Sequence, residues 1–203
     1  MVGGSAGNSA VLATIFSPGC VFRQPRPFPL FCPLFPTRDG PKTEAQYVAA
    51  FIERNARLIL AKLAERTDEQ LNQPLPIPDA NTLFAIATHT VGMAEFWVLA
   101  LVGGQMVERD RPAEFRATGG GVALRERYER FIHNMHQVLT DLPTADMTRV
   151  VTPPAAFRLT GGFRPDQPLT VRDCLLHVVE HTANHLGHVE LTCDLFDQQA
   201  AQG

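Results

Sequence analysis

Four stretches of the chain repeat apolar residues at spacings of three and four. The first contains Val48, Phe51, Ile52, Leu58, Ile59 and Leu63, with Arg54, Arg57, Lys62 and Glu65 between them. It predicts a helix over 44–66. Pro74-Leu75-Pro76-Ile77-Pro78 follows and cannot be helical, because each ring removes a donor and restricts the residue before it. A second stripe runs Leu83, Ile86, Thr90, Met93, Trp97 and Ala100. Asp79 or Asn81 is its expected cap, and Gly103-Gly104 its end. Leu124, Tyr128, Phe131, Met135, Val138 and Leu142 predict a third helix over 122–141. Val171, Leu175, Val178, Thr182, Val189 and Phe196 predict a fourth. That helix opens on a capping box of Thr170 and Asp173 and runs to about Phe196.

Four amphipathic helices with no alternating strand pattern define an all-α chain, a four-helix bundle. The connections, about 15, 18 and 28 residues long, leave room for a long crossover. Residues 105–121 carry Arg109, Asp110, Arg111, Glu114 and Arg116, a polar loop whose charges are expected to be solvated or paired with each other. Gly119-Gly120-Gly121 closes it without the frame of a phosphate loop. Residues 143–169 are rich in Pro and Gly, as in a functional loop or a short hairpin. The bundle domain is expected over 41–203. Residues 1–40, crowded with Gly, Ser, Pro and Phe and without an acid before Asp39, read as a low-complexity, disordered tail.

Composition narrows the function. Of 203 residues, 45% are hydrophobic, enough for a core. A formal net charge of -3 gives no case for a nucleic-acid partner. No run approaches 18 consecutive apolar residues, so neither a transmembrane helix nor a membrane partner is expected. Cys20, Cys32, Cys174 and Cys193 show no CxxC spacing. Cys174 and Cys193 would stand about 28 Å apart on one helix, too far to pair. A reducing, cytoplasmic setting follows.

Histidine changes the picture most. Four of the seven, His177, His181, His185 and His188, fall within twelve residues of the fourth helix. At about 100° per residue they sit near 0°, 40°, 80° and 20°, on one stripe. Residues four apart on a helix can bring two imidazoles to one ion. His89, beside the core stripe of the second helix, is the best donor elsewhere. Two ligands from one helix and one from another would make a three-histidine site with an open position. His133 and His136 flank the third seam and read as surface or edge residues. His177 to His181 also fits H-x-x-E-H, the inverted zinc-protease signature, but too little chain follows for the distant acidic ligand.

The segment Asn81 to Trp97 with His89 at its centre, and the segment Leu169 to Val189 with His181 and His185, together resemble the DinB/YfiT-like group of bacterial four-helix proteins. The group pattern is one His in the second helix and an H-x-x-x-H pair in the fourth, often continued by Arg-Gly-Gln. Here Leu186 stands where Arg is common and His188 where Gln is common. The resemblance covers about residues 44–198. It implies metal ligands His89, His181 and His185, with His177 and His188 as neighbours; His188, in the place of Gln, is a candidate fourth ligand or outer-shell partner, and Glu95 or Glu180 a candidate acceptor behind a ligand. It also implies a divalent metal, Zn or Ni, and a homodimer. The expected activity is a thiol S-transferase or related isomerase using a low-molecular-weight thiol and an electrophilic small-molecule substrate. A non-catalytic, metal-stabilised binding or stress-response module is the alternative. A plain helical interaction protein is the third reading.

Overall fold

The computed structural model of the chain describes residues 42–155, 157, 162–164 and 166–201. The expected tail, residues 1–40, lies outside the described residues, as do Cys20 and Cys32. The predicted all-α architecture is observed, with four long helices. They are α1 (Glu44–Leu63), α3 (Leu83–Ala94, continuing as a π-helix over Glu95–Val102), α5 (Gly121–Thr140) and α6 (Val171–Ala200). Short helices α2 (Asp68–Asn72) and α4 (Arg111–Glu114) lie in the first and second connections.

Threonines start most of these helices. Thr43 and Thr67 each form a capping box with a Gln three residues on, and Thr170 forms the predicted one with Asp173. Each box satisfies two backbone donors that a helix start would otherwise leave orphaned. The second long helix is capped by Thr82, not by Asp79 or Asn81. Asp79 instead takes a positive φ of 60° in the turn after the prolines. The first helix stops at Leu63, three residues early, and the fourth runs on to Ala200.

Cross-helix contacts fix the directions. Glu44 meets Arg172, Asn55 meets Thr182 and Arg66 meets Asp197, so α1 and α6 are parallel. Arg57 meets Glu129 and Glu53 meets His136, so α1 and α5 are antiparallel. Ala87 accepts from Tyr128 while Gly103 packs on Val138, so α3 and α5 run the same way. The predicted crossover is therefore the α3–α5 connection, which must carry the chain back along the bundle. The α5–α6 connection joins helices at the same end and has length to spare. It forms a 3₁₀ turn at Thr144–Thr148 and a short antiparallel pair, Val150–Val151 with Leu169–Thr170, which is the expected hairpin-like element.

Helix α3 is buried on all sides. Every residue from Leu83 to Ala94 is buried. Leu83–Val102 is in fact long and apolar enough to cross a membrane, contrary to the expectation from unbroken apolar runs, but 83% of that window is buried by the rest of the protein. Its apolar surface is taken up by internal packing. The π-helical winding, with i→i+5 bonds, turns each residue through less than an α-helix does. Trp97 is thereby kept on the α6 side with His89. The helix ends where Gly103 N–H donates to Val98 and Gly104 adopts φ 68°, a left-handed value that a side chain would oppose. The triple glycine docks on α2: Gly119 exchanges two hydrogen bonds with the Asn72 side chain, and Asp68 accepts from Gly121 N–H.

Candidate metal centre

Antiparallel α3 and α6 bring His89 to the histidine stripe. His89 Nε2 lies 3.2 Å from His181 Nε2. The ring centroids of His89 are 5.1 Å from those of both His181 and His185, and the latter two are 4.4 Å apart. One ligand nitrogen from each of the three lies within 4.8 Å of the others. Among the described residues this is the group of His, Cys, Asp or Glu side chains so arranged, and it contains all three residues implied by the resemblance.

The remaining histidines sort by position. His177 packs against Trp97 at 4.8 Å and Phe163 at 5.3 Å, between the cluster and an aromatic wall. His188 is exposed, with its Nδ1 3.3 Å from Nδ1 of His185. His136 pairs with Glu53 and His133 with Gln137, at the surface as expected.

His89 is held from behind. Its Nδ1 is 2.7 Å from Oε2 of Glu114, and Arg109 binds both carboxylate oxygens of Glu114, at 2.8 and 3.0 Å. All three side chains are nearly inaccessible, with His89 4% and Glu114 6% exposed. Burial alone would raise the pKa of Glu114, but hydrogen bonds from His89 and Arg109 and the guanidinium charge outweigh it and hold the pKa below its usual value. An ionised carboxylate only accepts, so the Nδ1 of His89 donates to Glu114 and its Nε2 is the nitrogen turned toward His181. Of the two expectations for the charges of 105–121, solvated or paired with each other, Arg109 and Glu114 follow the second, and they pair inside the protein rather than at its surface. Neither Glu95 nor Glu180 backs a ligand. Glu95 binds Arg127, and Glu180 is exposed.

The other two histidines are kept neutral. Burial first, then repulsion from neighbouring imidazoles, pushes His181 down to about 3. Burial first, then the charges of His89 and His188, pushes His185 down to about 4. Near neutral pH each therefore offers a free lone pair, the form a metal requires. The donor set fits a borderline ion such as Zn or Ni. Two nitrogens bound to one tetrahedral zinc at about 2.0–2.1 Å stand roughly 3.3 Å apart, close to the His89–His181 separation.

The fold and this cluster define a class: a helical bundle with convergent imidazoles between its second and last long helices. A model of the DinB superfamily matches residues 52–189, and the chain belongs to that superfamily. Two solved structures share the fold. A conserved protein from Enterococcus faecalis is 14% identical, with a TM-score of 0.58 over 76% of this chain and 98% of that one. A DinB-like protein from Bacillus cereus is 18% identical, with a TM-score of 0.52 over 73% and 91%. No curated protein matches the chain.

Proposed function

We propose that the chain binds one divalent metal ion, Zn or Ni, through His89, His181 and His185, and is a thiol S-transferase acting on electrophilic small molecules. The observation that carries this reading is the convergence of three imidazoles, two held neutral by burial and one oriented by Glu114. Three protein donors rather than four is the pattern of catalytic sites, which keep a position for an exogenous ligand. A metal there would bind a low-molecular-weight thiol as its thiolate, the nucleophilic form. His89, His181 and His185 hold the site in place, while Phe115, stacked on His89 at 4.3 Å, and the wall of Trp97 and Phe163 exclude water from its flanks.

The test is elemental analysis of freshly purified protein, followed by conjugation of a small thiol to an electrophile after reconstitution. One metal per chain, lost in the H89A/H181A/H185A variant together with turnover, supports the reading. A protein that takes up no metal and conjugates no thiol sinks it. The second reading, a metal-stabilised module without turnover, is favoured by one observation: His89 ties the crossover connection to the core through Glu114. Its mark is metal uptake with no conjugation, and unfolding by a chelator. A cytoplasmic setting is part of the proposal, supported by the two free buried thiols, Cys174 and Cys193. So is a homodimer, which sedimentation would test.

A further inference from the structure

We infer that Glu114 is the positioning residue of the site: seated in a notch at Gly92 and clamped by Arg109, it dictates which nitrogen of His89 faces His181 and His185. The inference rests on the metal-binding reading for its purpose, but its geometry stands alone. Glu114 lies on α4, in the middle of the crossover connection, 25 residues from His89 in sequence. Three features bring it there and keep it there.

The first is the notch. Gly92 follows His89 by one helical turn, and a Cβ built on it would run into Oε1 of Glu114 and come within 3.2 Å of Arg127 Nη2. Any larger residue at 92 pushes the carboxylate away from the helix. The second is the clamp. Arg109 binds Glu114 through two nitrogens and is itself 5% exposed, so the fork has no solvent to exchange into. Its guanidinium also lies over Phe157 at 5.2 Å and Phe96 at 5.8 Å. The third is α4 itself: Asp110 caps it by accepting from Ala113 N–H, Pro112 stands in its first turn, and Phe115 stacks on the ring that Glu114 holds. The short helix thus grips His89 by edge and by face. A free imidazole exchanges its proton between two nitrogens; here one choice is imposed, and the second ring nitrogen is left unprotonated on the cluster side.

The experiment is nitrogen NMR of the metal-free protein, which separates the two neutral tautomers by their ring shifts, alongside zinc affinity by competition with a chromophoric chelator. In wild type, His89 is expected as the Nδ1–H tautomer. In E114A the Nε2–H form appears, and zinc affinity falls by roughly 10–100-fold, the usual cost of losing a partner behind a ligand. G92A, which leaves every polar group intact, is expected to move in the same direction by displacing the carboxylate. Should E114A fail to fold because Arg109 is left buried and unpaired, R109M/E114M keeps the volume without the orphaned charge and carries the same expectation. A His89 that keeps its proton on Nδ1 in the folded variant lacking Glu114 overturns the inference, whatever the zinc affinity. A wild-type protein with the Nδ1–H tautomer but no zinc uptake sinks the metal reading instead and leaves Glu114 as the group that orients His89.

Discussion

His89 Nε2 and His181 Nε2 stand 3.2 Å apart on helices that run in opposite directions. With Glu114 accepting at Nδ1, the Nε2 of His89 is the nitrogen presented to His181. A neutral His181 can donate its N–H across that gap, and a cation placed there would bind both nitrogens instead. An ion that binds these nitrogens only in the folded protein should stabilise it. At a free concentration 100 times its Kd, a ligand that binds only the folded state adds about 2.7 kcal/mol. For a domain of this size that is a rise in Tm of roughly 5–10 °C. Differential scanning fluorimetry with Zn or Ni reads it directly. The rise should vanish in H181A, and an unchanged wild-type Tm would count against the site.

Acid should weaken the metal-free protein through the same histidines. His181 and His185 have pKa values of about 3 and 4 in the folded state, lowered chiefly by burial, against about 6.5 in the unfolded chain. Between these limits the unfolded chain binds protons that the folded one refuses, so stability rises with pH there. It is whole above about pH 6.5, falls steadily as the pH drops toward 4, and levels off for these two groups near 3. Thermal melts of chelator-treated protein from pH 7.5 to 4 should show the fall. H181L, which has no proton to gain, should show a shallower slope; parallel slopes would mean that His181 is not held neutral.

Asn55 is the bolt between α1 and α6. Its amide donates to Thr182 Oγ1 at 3.0 Å and to Val179 O at 3.4 Å, and it is 5% exposed. Thr182 adjoins His181, so the bolt also sets the height of the histidine stripe. N55A is expected to cost about 0.5–1.5 kcal/mol, the net worth of one buried hydrogen bond, because Thr182 Oγ1 keeps its bonds to Val178 O and Val179 O. Urea titration measures the loss, which a value near zero would refute.

Trp97 is 1% exposed and stacks edge-on with His177 at 4.8 Å. W97A is expected to cost about 3–5 kcal/mol. In a folded variant, W97F should retain most of the stability. If W97A unfolded at the wild-type urea midpoint, the wall beside the site would be ornamental to the fold.

Much of this was legible in the sequence because it depends on periodicity. The stripe of His177, His181, His185 and His188 follows from helical geometry, and each apolar anchor predicted for that helix, from Val171 to Phe196, is buried. His89 was legible as the outlying donor because it borders an apolar stripe. What periodicity does not carry is the crossover. Arg109 and Glu114 look like surface charges in one dimension; only the notch at Gly92 and the approach of α4 make them interior. A signal did exist. Asp110-Arg111-Pro112-Ala113-Glu114 has a capping acid, an early proline and an acid in the first turn, the marks of a helix start. It announces α4 but not its burial. The π-helical half of the second long helix left no trace either, since an all-round apolar run has the same appearance at either winding.

The all-round burial of Leu83–Val102 bears on how the molecule comes into being. That segment lies diagonally across from α1 and is wrapped chiefly by α5 and α6, the last helices to be made. From the end of the segment to Phe196 the ribosome must add another 94 residues or so, roughly 5–20 s of synthesis. Through that interval the greasiest part of the chain waits without its covering. Chains cut short before Val171 should therefore collect in the insoluble fraction or on chaperones, while the full-length product stays in the supernatant; soluble short chains would show that the segment finds shelter earlier.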